Sequence, residues 1–347
     1  MTAPRFALGL MVLASLSLAS CGGHGRTPVV HGPTTFPDSP DGTQNKLVKE
    51  LWGSGNVRAA WDALPVRHQK DVSDLVHSFG RKMDAEVHQK LFEAFRSALD
   101  LALEKKSIVH ELLQKSARLE PAELKSLEKK YDSIIALLKE AAESEIADTS
   151  KLASLDLPSF LGGKASSLFS KLLKLANTSS GPDILTFLFG GLGRWEYRVG
   201  EERDGVVILH AFCDGSRLKW DCPLIKVDGK WMDPGLAKDW PKMMKEAKEW
   251  IAKLDLSKDK KLILDSLDKF EKLIGKLKAA ETAEDFKRIV QSSAMDFLPT
   301  MSLLRKYGLW EDDGAADPAE QPKQERAKQE RAKQDKKAMK RAKQGAK

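Results

Sequence analysis

The sequence lacks a hydrophobic run long enough to cross a membrane. The apolar run from Phe6 to Leu18 falls short of the roughly 20 residues that a bilayer-spanning helix needs. It is followed by glycines and prolines rather than by more amphipathic chain. This run is therefore not predicted to be a transmembrane helix.

The chain also lacks an excess of charge outside its last residues. The formal net charge is +7, but residues 320–347 alone hold 11 Lys or Arg and four Asp or Glu. The rest of the chain is balanced, with 46 basic and 46 acidic residues. Bulk charge therefore gives no support to a basic groove in the folded part, and we expect no nucleic-acid partner.

Complete catalytic and metal-binding motifs are missing as well. His110-Glu111 begins like the zinc-protease helix motif, but Gln114 stands where the second histidine must be. Gly162-Gly163-Lys164-Ala165 begins like a phosphate-binding loop, but Ala165 replaces its Ser or Thr, and two glycines opening a helix are the simpler interpretation. No serine lies in a nucleophile elbow. The sequence therefore predicts no catalytic residue, metal site or cofactor, and it leaves open whether the protein is an enzyme.

The N-terminus, in contrast, carries a readable signal. Arg5 precedes the apolar run, and the run ends in the string Leu18-Ala19-Ser20-Cys21. A charged start, an apolar middle and small residues before a cut site are the parts of a secretory signal peptide. With a cysteine at the cut site, the segment resembles a bacterial lipoprotein signal.

The resemblance has consequences for processing and location. It implies that residues 1–20 are removed, that Cys21 becomes lipidated, and that the exported protein is anchored to the cell envelope through this lipid. Several acyl chains on one residue would anchor it stably. Gly22 is not the aspartate that retains some lipoproteins in the inner membrane, and this favours the periplasmic face of the outer membrane.

Two further cysteines, Cys213 and Cys222, leave two arrangements open. An exported chain favours a disulfide between them, which would require a wide loop over 214–221. If Asp214-Gly215 instead forms a tight hairpin turn, the two thiols lie too far apart along the strands to be bridged.

Composition divides the chain into zones. Residues 21–44 are rich in Gly, Pro and Thr and are predicted to be a flexible tether, with the domain at 45–319. Apolar residues at helical spacing, such as Val72, Val76 and Phe79, predict helices through most of this domain, with Gly80 ending one of them. Asp84 is predicted to cap the next helix.

The periodicity changes at about 194–232. Asp204-Gly205 and Asp228-Gly229 separate apolar, β-branched runs, which is a strong hairpin signal. We predict three or four antiparallel strands that bury one face against helices. The predicted fold class is α+β, mainly helical: a helical bundle with a small antiparallel sheet.

The last hairpin carries a second resemblance. The segment 223–231, which contains Val227-Asp228-Gly229-Lys230-Trp231, resembles the closing hairpin of secreted proteins with nuclear-transport-factor-like folds. The resemblance implies that Trp231 packs on the core. It implies no function, because that architecture serves catalysis, binding and structure alike.

The tail at 320–347 repeats Glu-Arg-Ala-Lys-Gln, and its period of five gives a helix no apolar stripe. It is either a solubilising segment without a partner or an attachment to an anionic surface such as lipid headgroups or wall polymer. The residues predicted to make that contact are basic: Arg326, Lys328, Arg331, Lys333, Lys336, Lys337, Lys340, Arg341 and Lys343.

These expectations combine into one functional hypothesis. The protein is expected to be a lipid-anchored envelope protein with a non-enzymatic binding or structural role. The alternative is an exported enzyme whose site is assembled from residues distant in sequence. A folded-state pocket with converging titratable groups is the feature that would favour the enzyme. The sequence names no protein partner.

Overall fold

The computed structural model of the protein describes residues 30–116, 121–177, 192–254 and 256–297, together with 299, 300, 302, 306 and 307. The chain divides into two compact units, Met1–Phe297 and Leu298–Lys347, and the helices and strands that form the fold lie in the first. The leader 1–20, Cys21 and the basic tail lie outside the described residues, so the predictions made for them stay predictions.

Helices occupy most of the described chain. In chain order they are α1 (Pro40–Val48), α2 (Val57–Ala63), α3 (Val66–Lys82), α4 (Ala85–Glu104), α5 (Lys106–Ser116), α6 (Pro121–Ala142), α7 (Thr149–Leu152), α8 (Leu157–Phe160), α9 (Ser166–Asn177), α10 (Pro234–Lys253), α11 (Lys260–Lys278) and α12 (Ala283–Ser293). Two π-helical turns interrupt the series, at Lys49–Gly53 and Leu161–Ala165. Among the described residues, no helix is both long and apolar enough to span a bilayer.

Side-chain caps define several helix starts. Asp84 accepts a hydrogen bond from the backbone N–H of Val87 at 3.1 Å, which confirms the predicted cap of α4. The predicted helix end at Gly80 is wrong, because α3 continues to Lys82. A Cβ atom at Gly80 would lie 2.5 Å from the backbone nitrogen of Ala153. Glycine is therefore required here for close packing of α3 against the start of the 153–156 loop, and it does not end the helix.

The sheet is a four-stranded antiparallel meander in the order β1-β2-β3-β4, which confirms the predicted strands and their place in the chain. Its strands are β1 (Trp195–Arg203), β2 (Val206–Cys213), β3 (Ser216–Val227) and β4 (Lys230–Met232). All three connections are two-residue Asp-Gly turns, at 204–205, 214–215 and 228–229, with positive φ at both positions. Such turns match the right-handed twist of the strands they join, which is why Asp-Gly favours the hairpin.

The tight turn at Asp214-Gly215 corrects the prediction of a disulfide. Cys213 pairs with Ser216, while Cys222 pairs with Leu209, four residues further along β2. The two cysteines are therefore about 13 Å apart along the sheet, far beyond the reach of a disulfide. Both thiols are free.

One face of the sheet belongs to the core and is covered by α1. Leu209 and Ala211 are fully buried, and Leu224 is nearly so. The side-chain amide of Asn45 in α1 accepts from the Tyr197 N–H at 2.7 Å and donates to the Tyr197 carbonyl at 2.9 Å. Asn45 thereby satisfies both backbone groups of one residue on the sheet edge.

Two pairs of helices that are distant in sequence pack in parallel. Lys260 pairs with Asp84 at 3.0 Å and Lys278 with Glu104 at 3.8 Å, so α4 and α11 run in the same direction. The rings of His68 and Trp240 lie 4.3 Å apart, and those of Phe79 and Trp250 lie 6.4 Å apart, so α3 and α10 are also parallel. Fully or nearly fully buried leucines of α8 and α9, including Leu157 and Leu168, lie in the largest hydrophobic cluster of the helices.

The described part of the predicted tether does not behave as one. Helix α1 begins at Pro40, and the segment before it is bonded to the body. The backbone N–H of His31 donates to the carbonyl of Gly162 at 2.8 Å, and that of Thr34 donates to Asp62 Oδ2 at 2.7 Å. The prediction of a tether is therefore wrong over 30–44, because these hydrogen bonds fix a segment whose composition alone suggested a flexible coil.

Candidate functional site

A cleft of about 280 Å³ opens where α6 ends and α8 begins. Its walls carry charged, hydroxyl and apolar side chains from three segments of the chain. They are Glu145, Leu155, Asp156, Ser159, Phe160 and Lys164. The volume is slightly below the range typical of pockets for drug-sized ligands, so the cleft suits a small ligand.

Local hydrogen bonds hold the walls in place. A short 3₁₀ turn after α6 begins with Glu145. Asp156 caps α8 by accepting from the Ser159 backbone N–H at 3.4 Å and from its hydroxyl at 2.6 Å. The ring Nε2 of His77 lies 2.9 Å from the Leu155 carbonyl and fixes the loop before α8 to α3.

The third wall is the π-helical turn that carries Lys164. A turn of this kind inserts an extra residue into a helix, and such insertions occur frequently at functional sites. The Ser166 hydroxyl stabilises the turn by donating to the Leu161 carbonyl at 2.7 Å while accepting from the Val57 N–H at 2.8 Å. The glycines at 162 and 163 therefore do not open a helix, as the simpler interpretation held, but lie inside a continuous helical stretch from α8 to α9.

Two charged groups of the cleft have no partner among the described residues. The Oε2 atom of Glu145 is buried and accepts no hydrogen bond. Neither Glu145 nor Lys164 forms an ion pair with the other or with another described side chain. Buried polar groups in proteins are nearly always hydrogen-bonded, and a buried charge is nearly always paired. The buried Glu145 Oε2 atom is thus the feature of this cleft that needs an explanation, and the partly exposed Lys164 is the cation that lines the same space.

A neighbouring acid shows the usual arrangement. Glu140, near the end of α6, is 3 % exposed, and both of its carboxylate oxygens lie within 3.3 Å of Lys171 Nζ. Burial raises the pKa of Glu140 above its ordinary value, although the hydrogen bond from Lys171 opposes the shift. Lys164 also lowers the pKa of Glu140 through its charge, although it forms no ion pair with it.

A second polar cluster lies on the outer face of the sheet. His210 Nδ1 is 2.8 Å from Asp221 Oδ1, and Arg217 reaches the same carboxylate oxygen at 3.3 Å. These hydrogen bonds lower the pKa of Asp221, with that from His210 contributing most. Arg198 pairs with Glu196 at 3.0 Å. Every charge named in this cluster has a partner, so the cluster is fully explained as a structural network.

The hairpin that carries the second resemblance docks on the N-terminal segment. The indole N–H of Trp231 donates to the Asp38 carbonyl at 2.7 Å, and its ring is partly buried against the sheet core. A small cleft of about 90 Å³ remains between Phe36, Lys230 and their neighbours. It is too small to hold more than a few waters.

The cleft has no signature in the sequence. Glu145 and Lys164 are 19 positions apart, and no spacing rule joins the end of one helix to a π-helical turn in another. The string Gly162-Gly163-Lys164 is the one local signal near the cleft, and its resemblance to a phosphate loop does not indicate a π-helical turn. No group of three or more His, Cys, Asp or Glu side chains in the described ranges is placed to hold a metal ion.

Comparison of the chain with models of protein families, with curated proteins and with solved structures finds no match. The function must therefore be argued from the leader and the cleft alone.

Proposed function

We propose that the protein is an exported, lipid-anchored component of the cell envelope whose folded body has a non-enzymatic binding role. The anchor rests on the string Leu18-Ala19-Ser20-Cys21 after a complete leader. The binding role rests on one observation in the cleft, the buried Glu145 Oε2 atom that has no donor and shares the cleft with Lys164. Gly22, which stands where some lipoproteins carry a retaining aspartate, favours anchoring at the periplasmic face of the outer membrane.

In this proposal the body stays close to the membrane. His31 is already bonded to Gly162 on the body, so only residues 22–31 lie between the lipid and a fixed point. Even fully extended, ten residues span at most about 35 Å. The ligand or partner must therefore be reached within a short distance of the bilayer surface.

The proposal of an anchor is tested by the change Cys21→Ser. The variant should move from the membrane fraction to the soluble exported fraction or accumulate as precursor, because the thiol that accepts the lipid is gone. Cys213→Ser is the matched control and should stay membrane-bound, since Cys213 lies in the sheet. Labelling with a fatty-acid analogue that persists in Cys21→Ser would refute the anchor.

For the basic tail, the proposal is attachment to anionic lipid or wall polymer. Removal of residues 320–347 should leave the melting temperature nearly unchanged and should weaken binding to anionic vesicles at low salt. The attraction should vanish at high salt, since exposed charges are screened over about 8–10 Å at ordinary ionic strength. Equal vesicle binding by both forms would leave the tail a solubilising segment.

An exported enzyme is the second candidate function. The observation that favours it is the convergence of Glu145, Asp156 and Lys164 in one cleft. Mass spectrometry of any compound that the protein binds, taken after incubation with the protein, distinguishes a binding protein from an enzyme. Recovery of the ligand unchanged supports binding, and time-dependent conversion supports catalysis.

A further inference from the structure

We infer that the cleft between the end of α6 and the π-helical turn at Leu161–Ala165 binds a free amino acid with an apolar side chain. The ligand's ammonium group would contact Glu145, and its carboxylate would contact Lys164. This inference deepens the proposed function and rests on its binding role, but it does not depend on the lipid anchor.

The cleft presents groups of both charge signs that no described side chain neutralises. It has two carboxylates, but Asp156 is occupied by the backbone N–H and the hydroxyl of Ser159. The buried Oε2 atom of Glu145 has no donor, and the partly exposed Lys164 forms no ion pair with a described side chain. A simple amine would satisfy only Glu145 and a simple acid only Lys164, whereas a zwitterion satisfies both.

The fold places the two charged groups on separate elements. Glu145 begins the 3₁₀ turn Glu145–Ala147, and Lys164 is set by the π-helical turn that Ser166 stabilises. Held on separate rigid elements, the two groups do not neutralise each other. A preorganised pair of this kind loses little conformational entropy when a ligand bridges it.

The rest of the wall is partly apolar. Leu155 and Phe160 contribute apolar side chains to the lining, and the loop that carries Leu155 is fixed by His77. Small-molecule sites commonly combine apolar walls with a few placed polar groups. A volume of about 280 Å³ holds a free amino acid with an apolar side chain and leaves no room for a long peptide.

The test uses the full chain, purified in detergent, and three ligands of matched shape. L-leucine carries both charges, 3-methylbutylamine lacks the carboxylate, and 4-methylpentanoate lacks the ammonium group. Calorimetric titration should show that L-leucine binds and that each analogue binds about ten to a hundred times more weakly, because each loses one charged hydrogen bond. L-leucine that does not bind at millimolar concentration, or an analogue that binds as tightly, would overturn the inference.

Two variants test which charged group of the ligand contacts Glu145 and which contacts Lys164. Glu145→Gln should weaken binding of L-leucine and of the amine but not of the acid, and Lys164→Gln should weaken binding of L-leucine and of the acid but not of the amine. Glu143→Gln and Lys174→Gln are matched controls, since both side chains are exposed nearby, and they should leave binding unchanged. If a variant fails to fold, the three-ligand comparison on the unaltered chain still tests whether binding needs both charges of L-leucine.

These results are separable from those of the anchor. If the protein binds L-leucine but the Cys21→Ser variant stays in the membrane fraction, the lipid anchor is refuted and the inference about the cleft stands. An anchored chain that binds none of the three ligands would refute the inference alone.

Discussion

The outer face of the sheet and the cleft at the end of α6 are both rich in charged groups, but they use them differently. On the sheet, His210, Asp221 and Arg217 form one connected network. In the cleft, Glu145 and Lys164 face the same space and bind neither each other nor another described residue. Glu140 and Lys171, a few residues away, are paired as the sheet residues are.

The difference distinguishes charges that maintain the fold from charges that await a ligand. In a network where each group has a partner, the hydrogen bonds offset the free-energy cost of removing the groups from water. An unpaired buried carboxylate oxygen costs stability, and such local violations in proteins are expected at functional sites. The contrast predicts that substitutions of paired groups lower stability, whereas substitutions of the unpaired groups change binding instead.

The largest effect is expected for Lys171→Met. This change leaves Glu140 buried without its donor, and the free energy of unfolding should fall by about 2 kcal/mol at neutral pH. Lys174→Met, on the exposed side of the same helix, is the control and should change stability little. Chemical unfolding of both variants measures the difference.

The same variant has a pH signature. Because burial raises the folded-state pKa of Glu140, its carboxyl group contributes stability below its ordinary pKa near 4.5, and this contribution is lost as pH rises through the raised value. The penalty of Lys171→Met should therefore be largest at pH 8 and shrink as the pH falls, because protonation of Glu140 removes the unpaired buried charge. A penalty independent of pH would show that Lys171 acts through packing of its methylene groups.

A smaller effect is expected on the sheet from Gly200→Ala. The new Cβ atom would lie 2.3 Å from His210 Nε2, so the imidazole must move away from Asp221. Displacing a partly exposed ring should cost about 1 kcal/mol. Gly275→Ala is the control with the opposite sign, since a Cβ there meets nothing within 4 Å and alanine favours the interior of α11. An equal gain in both variants would show that the network is not needed.

The sheet could be predicted from the sequence because its signals are local. Asp-Gly fixes a turn within two residues, and alternation fixes the buried face within a strand. A local signal, the Asp214-Gly215 turn, also decided the state of Cys213 and Cys222 by excluding a bridge between them. The oxidising compartment favoured a disulfide, whereas the tight turn favoured separated thiols, and the structure agrees with the turn.

The cleft could not be predicted, because it depends on tertiary packing. Gly80 is conformationally ordinary within α3, and only the approach of Ala153 explains it. The segment 30–44 has the composition of a coil, and only its hydrogen bonds to Gly162 and Asp62 fix it. Lys164 faces the cleft because of a π-helical turn, and helical periodicity assumes that no such turn occurs.

The smallest change in stability is expected for Glu145→Gln, and it tests the comparison most directly. Glutamine has nearly the same shape, and the carboxylate it replaces accepts no hydrogen bond at its buried oxygen, so no contact is lost and the cost of burying a charge is relieved. The free energy of unfolding should stay within about 0.5 kcal/mol of the unaltered protein, while affinity for L-leucine falls. Urea unfolding without ligand, measured beside Lys171→Met, gives the comparison. If Glu145→Gln destabilises the protein as much as Lys171→Met does, Glu145 is part of the structural network, and the distinction between paired and unpaired charges at the end of α6 is wrong.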